Sequence, residues 1–342
     1  MMDGGIPERL EGSNQAAESR TDLLEGSSLV IEHRDLVEDE AGAGDGHEHL
    51  SLFEDAALAP IPESLPEPIP ELAVIRHPNF ADAMLILLML LVGALGTTAG
   101  LGLAIYFHWF GLRDLDAATK STPVALGSQL AIYLLGLAVA VPFFRMAWHE
   151  RYFAGLHWHA VTAYRLRYWL VAVAFLLNVL ALVVGLVVKF PEHAPIDKMF
   201  NTSSDAWMLA CFGVLIAPFF EEMIFRGFLL PAVATAWDWA AERMHGERPR
   251  ALDGEGNPVW SAGAMVFAAL VVSAPFAWMH SAQVAKAWGP LLLLYCVSLA
   301  LCAVRLLARS LAASTLVHSA YNCMLFALMF AQTDGFRHLD KM

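Results

Sequence analysis

Hydrophobic positions dominate this chain from about residue 84 onward, and polar positions there are confined to short intervening segments. The apolar stretches lie at about 84–107, 124–144, 168–188, 206–237, 259–280, 289–304 and 311–333. Most of them reach the ~20 residues that a helix needs to span a bilayer, whereas barrel strands need only ~9–11 alternating residues. Because lipid cannot satisfy backbone polar groups, the pattern predicts an all-α fold, a polytopic transmembrane helical bundle.

The sequence predicts about seven spans, with a range of six to eight because two of the stretches have unusual lengths. The stretch 206–237 is too long for one straight span, and the stretch 289–304 is short and begins at Gly289-Pro290. Composition agrees with a membrane protein, since 57% of the residues are hydrophobic and only 16% are charged. Soluble domains are typically ~45–50% apolar and ~25% charged, which excludes an ordinary soluble enzyme.

The net charge of −13 belongs almost entirely to the N-terminal segment. Residues 1–80 hold 18 of the 34 acidic and 4 of the 21 basic residues, so the rest of the chain carries only +1. The Glu-, Gly-, Ser- and Pro-rich composition of residues 1–80 predicts a disordered acidic tail. We expect N-terminal transmembrane helices and an interfacial loop in 81–204, a domain with the polar motifs in 205–333, and a short C-terminal tail in 334–342. The near-neutral body has no basic stripe for nucleic acid.

Arginines in the loops predict the orientation of the chain. The loops 145–167, 238–258 and 305–309, the last with Arg305 and Arg309, carry more Arg than the alternating loops. By the positive-inside rule these loops and the acidic tail lie in the cytoplasm. We therefore expect an integral, multi-pass protein of the plasma (cytoplasmic) membrane, in contact with membrane lipid; the sequence does not indicate an oligomeric state.

Only three charged residues interrupt the apolar stretches away from their boundaries, namely Glu221, Glu222 and Arg226. Each such residue costs on the order of 2.5–3.5 kcal/mol on insertion scales, so the group indicates a functional site. A buried ion pair that fixes helix packing is the alternative, but it explains two charges better than three. Glu222 and Arg226 have the favourable i,i+4 order. Glu221 is rotated by about 100° from Glu222, so the two carboxylates have different environments and different roles.

Two later stretches each present one polar i,i+4 pair, Phe276 with His280 and His318 with Asn322. Three successive polar clusters favour one convergent site. The predicted boundaries place His280 near the outer end of its span and His318 roughly 12 Å from the inner end of the next but one. Convergence therefore requires tilted helices, a shifted start of the fifth stretch, or a wrongly assigned span.

The three clusters match E-E-x-x-x-R, F-x-x-x-H and H-x-x-x-N in that order on consecutive membrane segments. They resemble the CAAX protease and bacteriocin-processing (CPBP, or Abi) family of intramembrane endopeptidases, in its CAAX prenyl protease 2-like form. The resemblance covers about 205–333 and marks this segment as a catalytic transmembrane domain. It implies hydrolysis of a peptide bond in a membrane-associated protein or peptide substrate.

The same resemblance implies the role of each motif residue. Glu221 and His280 activate a water, Glu222 pairs with Arg226, and His318 and Asn322 stabilise the oxyanion. No cofactor is needed in this mechanism.

Three other interpretations stay open. Glu221, His280 and His318 are potential Zn²⁺ ligands with an open position, although the chain has no H-E-x-x-H motif. A non-catalytic immunity or scaffold protein of the same fold has no need of the motif residues. A proton-coupled transporter also uses intramembrane Glu and His, but the polar clusters all lie in the C-terminal part, with no inverted repeat.

Overall fold

A computed structural model of the chain describes residues 78–188, 195–246 and 259–339. All of them belong to the second of two units into which the chain divides, residues 69–342. The predicted acidic tail, apart from its last three residues, lies outside the described residues. Within the described residues the regular structure is entirely helical, which confirms the predicted all-α bundle.

Seven helices in the described ranges are long and apolar enough to cross a membrane, so the chain is an integral, multi-pass membrane protein. They are α1 (Phe80–Tyr106), α3 (Thr122–Trp148), α5 (Ala160–Val187), one long helix (Ser203–His245), α9 (Ala262–Met279), α10 (Trp288–Ala308) and α11 (Leu311–Gln332). Two short helices lie in the connections, α2 (Leu115–Lys120) and α4 (Tyr152–Gly155).

Two predicted boundaries are wrong. The loop expected at 145–167 is only 149–159, because α3 continues to Trp148 and α5 already begins at Ala160. In the first turns of α5, Arg167 lies over the Tyr164 and Tyr168 rings, 4.2 and 4.4 Å from their centroids, and these cation–π contacts favour the helix. The loop expected at 305–309 is likewise shorter, since Arg305 belongs to α10 and is buried.

The long helix is continuous but not uniform, as its predicted length required. It consists of α6 (Ser203–Cys211), a π-helical segment (Phe212–Ile216), α7 (Ala217–Glu222), a second π-helical segment (Met223–Leu229) and α8 (Leu230–His245). Pro218 and Pro231 each lie two residues after the end of a π segment. Proline has no N–H, so the carbonyl four residues earlier loses its α-helical partner. Those carbonyls belong to Val214 and Gly227, one in each π segment.

The pairing of α8 with α9 fixes the height of His280 in the bundle. The Asp238 carboxylate accepts from the Ser261 hydroxyl (2.6 Å) and the Ser261 backbone N–H (3.1 Å), and Ser261 also caps α9. From Asp238 back to Glu221 is about 25 Å of helix, and from Ser261 on to His280 about 28 Å, at ~1.5 Å per residue. The antiparallel helices therefore bring His280 beside Glu221.

The conflict between the predicted heights of His280 and His318 is resolved by an offset between α9 and α11. His318 follows the start of α11 at Leu311 by only about 10 Å, whereas His280 follows the start of α9 by the full length of that helix, about 27 Å. Along their common direction α9 therefore begins about 17 Å before α11. A shifted start of the fifth apolar stretch is one of the solutions that the sequence left open.

An aromatic cluster joins α3 and α4 to the second π segment. The Trp148 and Tyr152 rings stack at 6.1 Å with an interplanar angle of 8°, and the Phe228 ring lies 5.9 Å from Trp148. Gly155 makes room for the indole, since a Cβ at this position would lie 2.5 Å from Trp148 Cε3.

Gly155→Ala is expected to lower the midpoint of thermal unfolding in detergent, because the added methyl group displaces a buried, rigid indole. Overpacking of this kind costs about 1–3 kcal/mol. Gly185→Ala in α5 is the matched control, since its Cβ meets nothing within 4 Å. Equal midpoints for the two variants would contradict the packing described here.

Candidate active site

Glu222 is fully buried, and its Oε1 atom binds two positively polarised groups. Arg226 Nη1 donates to it at 2.9 Å, and His318 Nδ1 lies 3.0 Å away. Because a carboxylate oxygen accepts, Nδ1 is the nitrogen that carries the proton in this contact. The i,i+4 pair expected from the sequence is therefore present, and it also fixes the imidazole of α11.

Arg226 connects this pair to two further helices. Its Nη2 atom donates to the carbonyl oxygen of Ser298 at 3.0 Å and to the Ser298 hydroxyl at 2.7 Å, on α10. Its guanidinium carbon lies 4.4 Å from the centroid of the Phe276 ring, on α9. A planar guanidinium suits this position, since it can form a fork of hydrogen bonds while stacking on an aromatic face.

Glu221 faces two imidazoles. Its Oε2 atom lies 3.9 Å from His280 Nε2 and 3.8 Å from His318 Nε2. These distances are too long for direct hydrogen bonds, but a water beside such a pair of atoms can form a hydrogen bond to each of them. The Nδ1 atom of His280 lies 2.8 Å from the Phe276 carbonyl oxygen and donates to it, which leaves Nε2 directed at Glu221. Both histidines therefore present the same ring nitrogen to one carboxylate oxygen.

Asn322 lies one turn beyond His318 on α11, and its side chain is held by the long helix. The amide nitrogen donates to the Gly213 carbonyl oxygen at 2.7 Å, in the first π segment. Gly213 permits this approach, because a Cβ there would lie 2.9 Å from Phe326 Cε2. Among the described residues, the amide of Asn322 thus contacts Gly213 and neither Glu221 nor a histidine, while its second N–H is available.

Sequence reasoning missed two residues of this region, Ser298 and Arg305, both on α10. Ser298 looked like an ordinary small residue of an apolar stretch. The sequence pattern places Arg305 in a loop, but the residue is buried in α10. Its Nη2 atom lies 3.5 Å from the Leu156 carbonyl oxygen, and the guanidinium interacts electrostatically with Glu222. The seven-residue spacing places both on one helix face, and is the signal that could have found Arg305.

Arg305 changes the charge balance of the buried site. With Glu221, Glu222 and Arg226 alone, the apolar body would hold one uncompensated negative charge. The second guanidinium provides two cations for two carboxylates, which lowers the cost of keeping both carboxylates ionised away from water.

The zinc alternative stays a prediction. No group of three or more His, Cys, Asp or Glu side chains among the described residues could hold a metal ion. Glu221, His280 and His318 are among the described residues to which this applies. We therefore derive no step through a metal.

Comparison with known proteins agrees with the resemblance seen in the motifs. A sequence profile of the type II CAAX prenyl endopeptidase Rce1-like family matches residues 203–324. The match confirms the family resemblance for this segment, which runs from α6 into α11 and contains all seven motif residues. It supports intramembrane protease activity in general, with a membrane-associated protein as the substrate. Neither a curated protein nor a solved structure matches the chain significantly.

Arg226→Met is expected to destabilise the protein by about 3–5 kcal/mol, because it leaves a buried carboxylate without its nearest cation. Thermal unfolding in detergent measures the effect. The double variant Glu222→Gln, Arg226→Met should cost less than the sum of the two single changes, since the groups form one unit.

The control for this prediction is the exposed i,i+4 pair of Lys120 and Asp116, whose nitrogen and oxygen lie 2.6 Å apart. Lys120→Met should leave the unfolding midpoint unchanged because water screens that pair. Strictly additive effects of Glu222→Gln and Arg226→Met would show that the buried pair is not coupled.

Proposed function

We propose that this protein is an intramembrane endopeptidase, which hydrolyses a peptide bond of a membrane-associated protein or peptide with a water activated by Glu221 and His280. The observation that carries the proposal is the geometry around Glu221. Its carboxylate is almost fully buried, and its ion-pair partners among the described residues are two imidazole Nε2 atoms at 3.8 and 3.9 Å. The family match over 203–324 supports the same conclusion.

The proposed reaction begins with a water between Glu221 and His280. The Glu221 carboxylate takes one proton from the water while the water oxygen bonds to the carbonyl carbon of the substrate, which gives a tetrahedral intermediate. The proton then passes to the amide nitrogen, the C–N bond breaks, and a carboxylic acid and an amine leave. The contact of His280 with the Phe276 carbonyl keeps Nε2 directed at the water throughout.

His318 and Asn322 are the proposed donors to the oxyanion of this intermediate. Glu222 accepts from Nδ1 of His318, so Nε2 is the nitrogen that faces the substrate. A neutral imidazole has a single N–H, so Nε2 donates to the developing negative charge in the doubly protonated form of the ring, which we propose for His318 in this step. The Asn322 amide is oriented by the Gly213 carbonyl and has a second N–H for the same purpose. Preorganised donors of this kind are each worth about 10²–10³ in kcat in other hydrolases.

Glu222 and Arg226 take a supporting role in the proposal. Glu222 contacts Arg226 and the imidazole of His318, and neither residue faces the proposed water, so the pair holds the site in place and does not react. Arg226 transmits that constraint to α9 and α10 through Phe276 and Ser298.

We further propose that the chain lies in the plasma membrane with its Arg-rich loops and acidic tail in the cytoplasm. Two contacts support a common side for these loops. The Leu311 N–H donates to the His157 carbonyl at 3.0 Å, and the Ser310 hydroxyl donates to the His159 carbonyl at 2.9 Å. The turn between α10 and α11 therefore lies against the connection between α4 and α5, near Arg309 and Arg151.

Glu221→Gln is expected to reduce cleavage about 10²–10⁴-fold, because the general base is lost while the volume is kept. Purified protein in liposomes can be assayed with a prenylated CAAX peptide. A proteomic search for accumulated precursors tests other substrates. Glu150→Gln, at an exposed carboxylate in the loop before α4, is the matched control and should cleave like the wild type. Undiminished cleavage by a folded Glu221→Gln protein would rule out this role, and would leave the scaffold and transporter interpretations.

Activity is expected to persist after removal of metal ions by a strong chelator, because the proposed step uses only side chains and water. Elemental analysis of the purified protein should find less than one zinc per chain. Loss of both bound zinc and activity on chelation, with recovery of both on adding Zn²⁺, would contradict the metal-free reaction.

A further inference from the structure

Tyr133 of α3 lies beside two segments of the long helix that carry the proposed site. Its ring stacks on Phe220 with centroids 4.4 Å apart and an interplanar angle of 14°, and on Phe212 at 6.4 Å and 16°. Phe220 directly precedes Glu221, and Phe212 directly precedes Gly213, the residue that binds Asn322. Two independent contacts thus place the Tyr133 ring next to the part of the long helix that bears the catalytic carboxylate.

The hydroxyl of Tyr133 has a proton to donate. It accepts a hydrogen bond from Gln129 Nε2 at 2.9 Å, one turn earlier on α3, and makes no other hydrogen bond to a described residue. A phenol is both donor and acceptor, so the contact with Gln129 uses a lone pair and leaves the O–H free. Tyr133 is buried, and a buried donor without an acceptor is costly.

The Glu221 carboxylate is the matching acceptor. It lies within electrostatic range of the Tyr133 phenol, and in the described part of the chain no group donates a hydrogen bond to it. The phenol and the carboxylate make no direct hydrogen bond, so a contact between them runs through a bridging water. A carboxylate offers about four lone-pair sites, so it can accept from the bridging water and still bind the water that faces the histidines.

We propose that Tyr133 is a positioning residue for the peptide hydrolysis, with its hydroxyl donating to a water that bridges to the Glu221 carboxylate and with Gln129 orienting that hydroxyl. This bridge holds the carboxylate in the orientation that presents Oε2 to the reacting water and to His280. This inference rests on the proposed function. Because Tyr133 and Gln129 lie outside the segment 203–324, it also gives the N-terminal helices a part in the site.

Tyr133→Phe is the direct test, since it keeps the ring and both stacks and removes only the O–H. In the liposome assay we expect kcat to fall about 10- to 100-fold, the usual effect of losing a hydrogen bond that reaches a charged group, here through water. KM should stay within about twofold, because the hydroxyl acts through Glu221 and does not bind the substrate.

Gln129→Leu provides a second measurement. It should lower kcat in the wild-type background but add nothing to Tyr133→Phe, because Gln129 acts only through the phenol. Tyr152→Phe is the matched control, a buried tyrosine whose hydroxyl contacts the sulfur of Met223 at 3.2 Å. It should keep the kcat of the wild type.

The possible outcomes separate this inference from the proposed function. Cleavage that is lost in Glu221→Gln but unchanged in a folded Tyr133→Phe protein overturns the role of Tyr133 and leaves the proposed function intact. Additive effects of Gln129→Leu and Tyr133→Phe, or an equal fall in Tyr152→Phe, also overturn it, because they indicate a general packing defect. A wild type that cleaves no more than Glu221→Gln overturns the proposed function, and this inference with it.

Discussion

The burial of an ionised carboxylate, Glu222, is the constraint on which the rest of the structure depends. An isolated charge of this kind is very costly in an apolar interior, so its compensation must come from neighbouring helices. Arg226 comes from the same helix, and it is in turn held by Ser298 on α10 and by the Phe276 ring on α9. His318, on α11, provides a further contact to the Glu222 carboxylate. One carboxylate thereby determines how four helical segments meet, and the proposed catalytic geometry follows from the same contacts that stabilise the core.

Adjacent carboxylates can differ in role here because of this arrangement. Glu222 points toward the two arginines and is enclosed, whereas Glu221, rotated by about 100°, points toward the histidines. The π segments on both sides of α7 widen the helix next to these residues, as π-bulges do at many functional sites. The first of them also presents the Gly213 carbonyl to Asn322. The local irregularity of the long helix is therefore part of the site rather than a defect in the span.

The sequence predicted much of this structure, and the exceptions have physical reasons. Seven spans, the pair of Glu222 with Arg226, and a site shared by three apolar stretches follow from local periodicity and from the cost of intramembrane charge. The start of α5 and the position of Arg305 do not follow, because cation–π contacts and tertiary burial allowed helices to continue through charged residues. The offset of α9 relative to α11 depends on a contact between Asp238 and Ser261, which are distant in sequence. Tyr133 and Gln129 carry no charge and lie before the motifs, so only the folded chain relates them to Glu221.

In the proposed reaction Glu221 acts as a general base on water and not as a nucleophile. A single turnover in ¹⁸O-labelled water, followed by mass spectrometry of the product and of the digested protein, distinguishes the two roles. We expect one ¹⁸O atom in the new carboxyl terminus of the product and none in the peptide that contains Glu221. Label in the Glu221 carboxylate would indicate a covalent acyl intermediate and would rule out the general-base role.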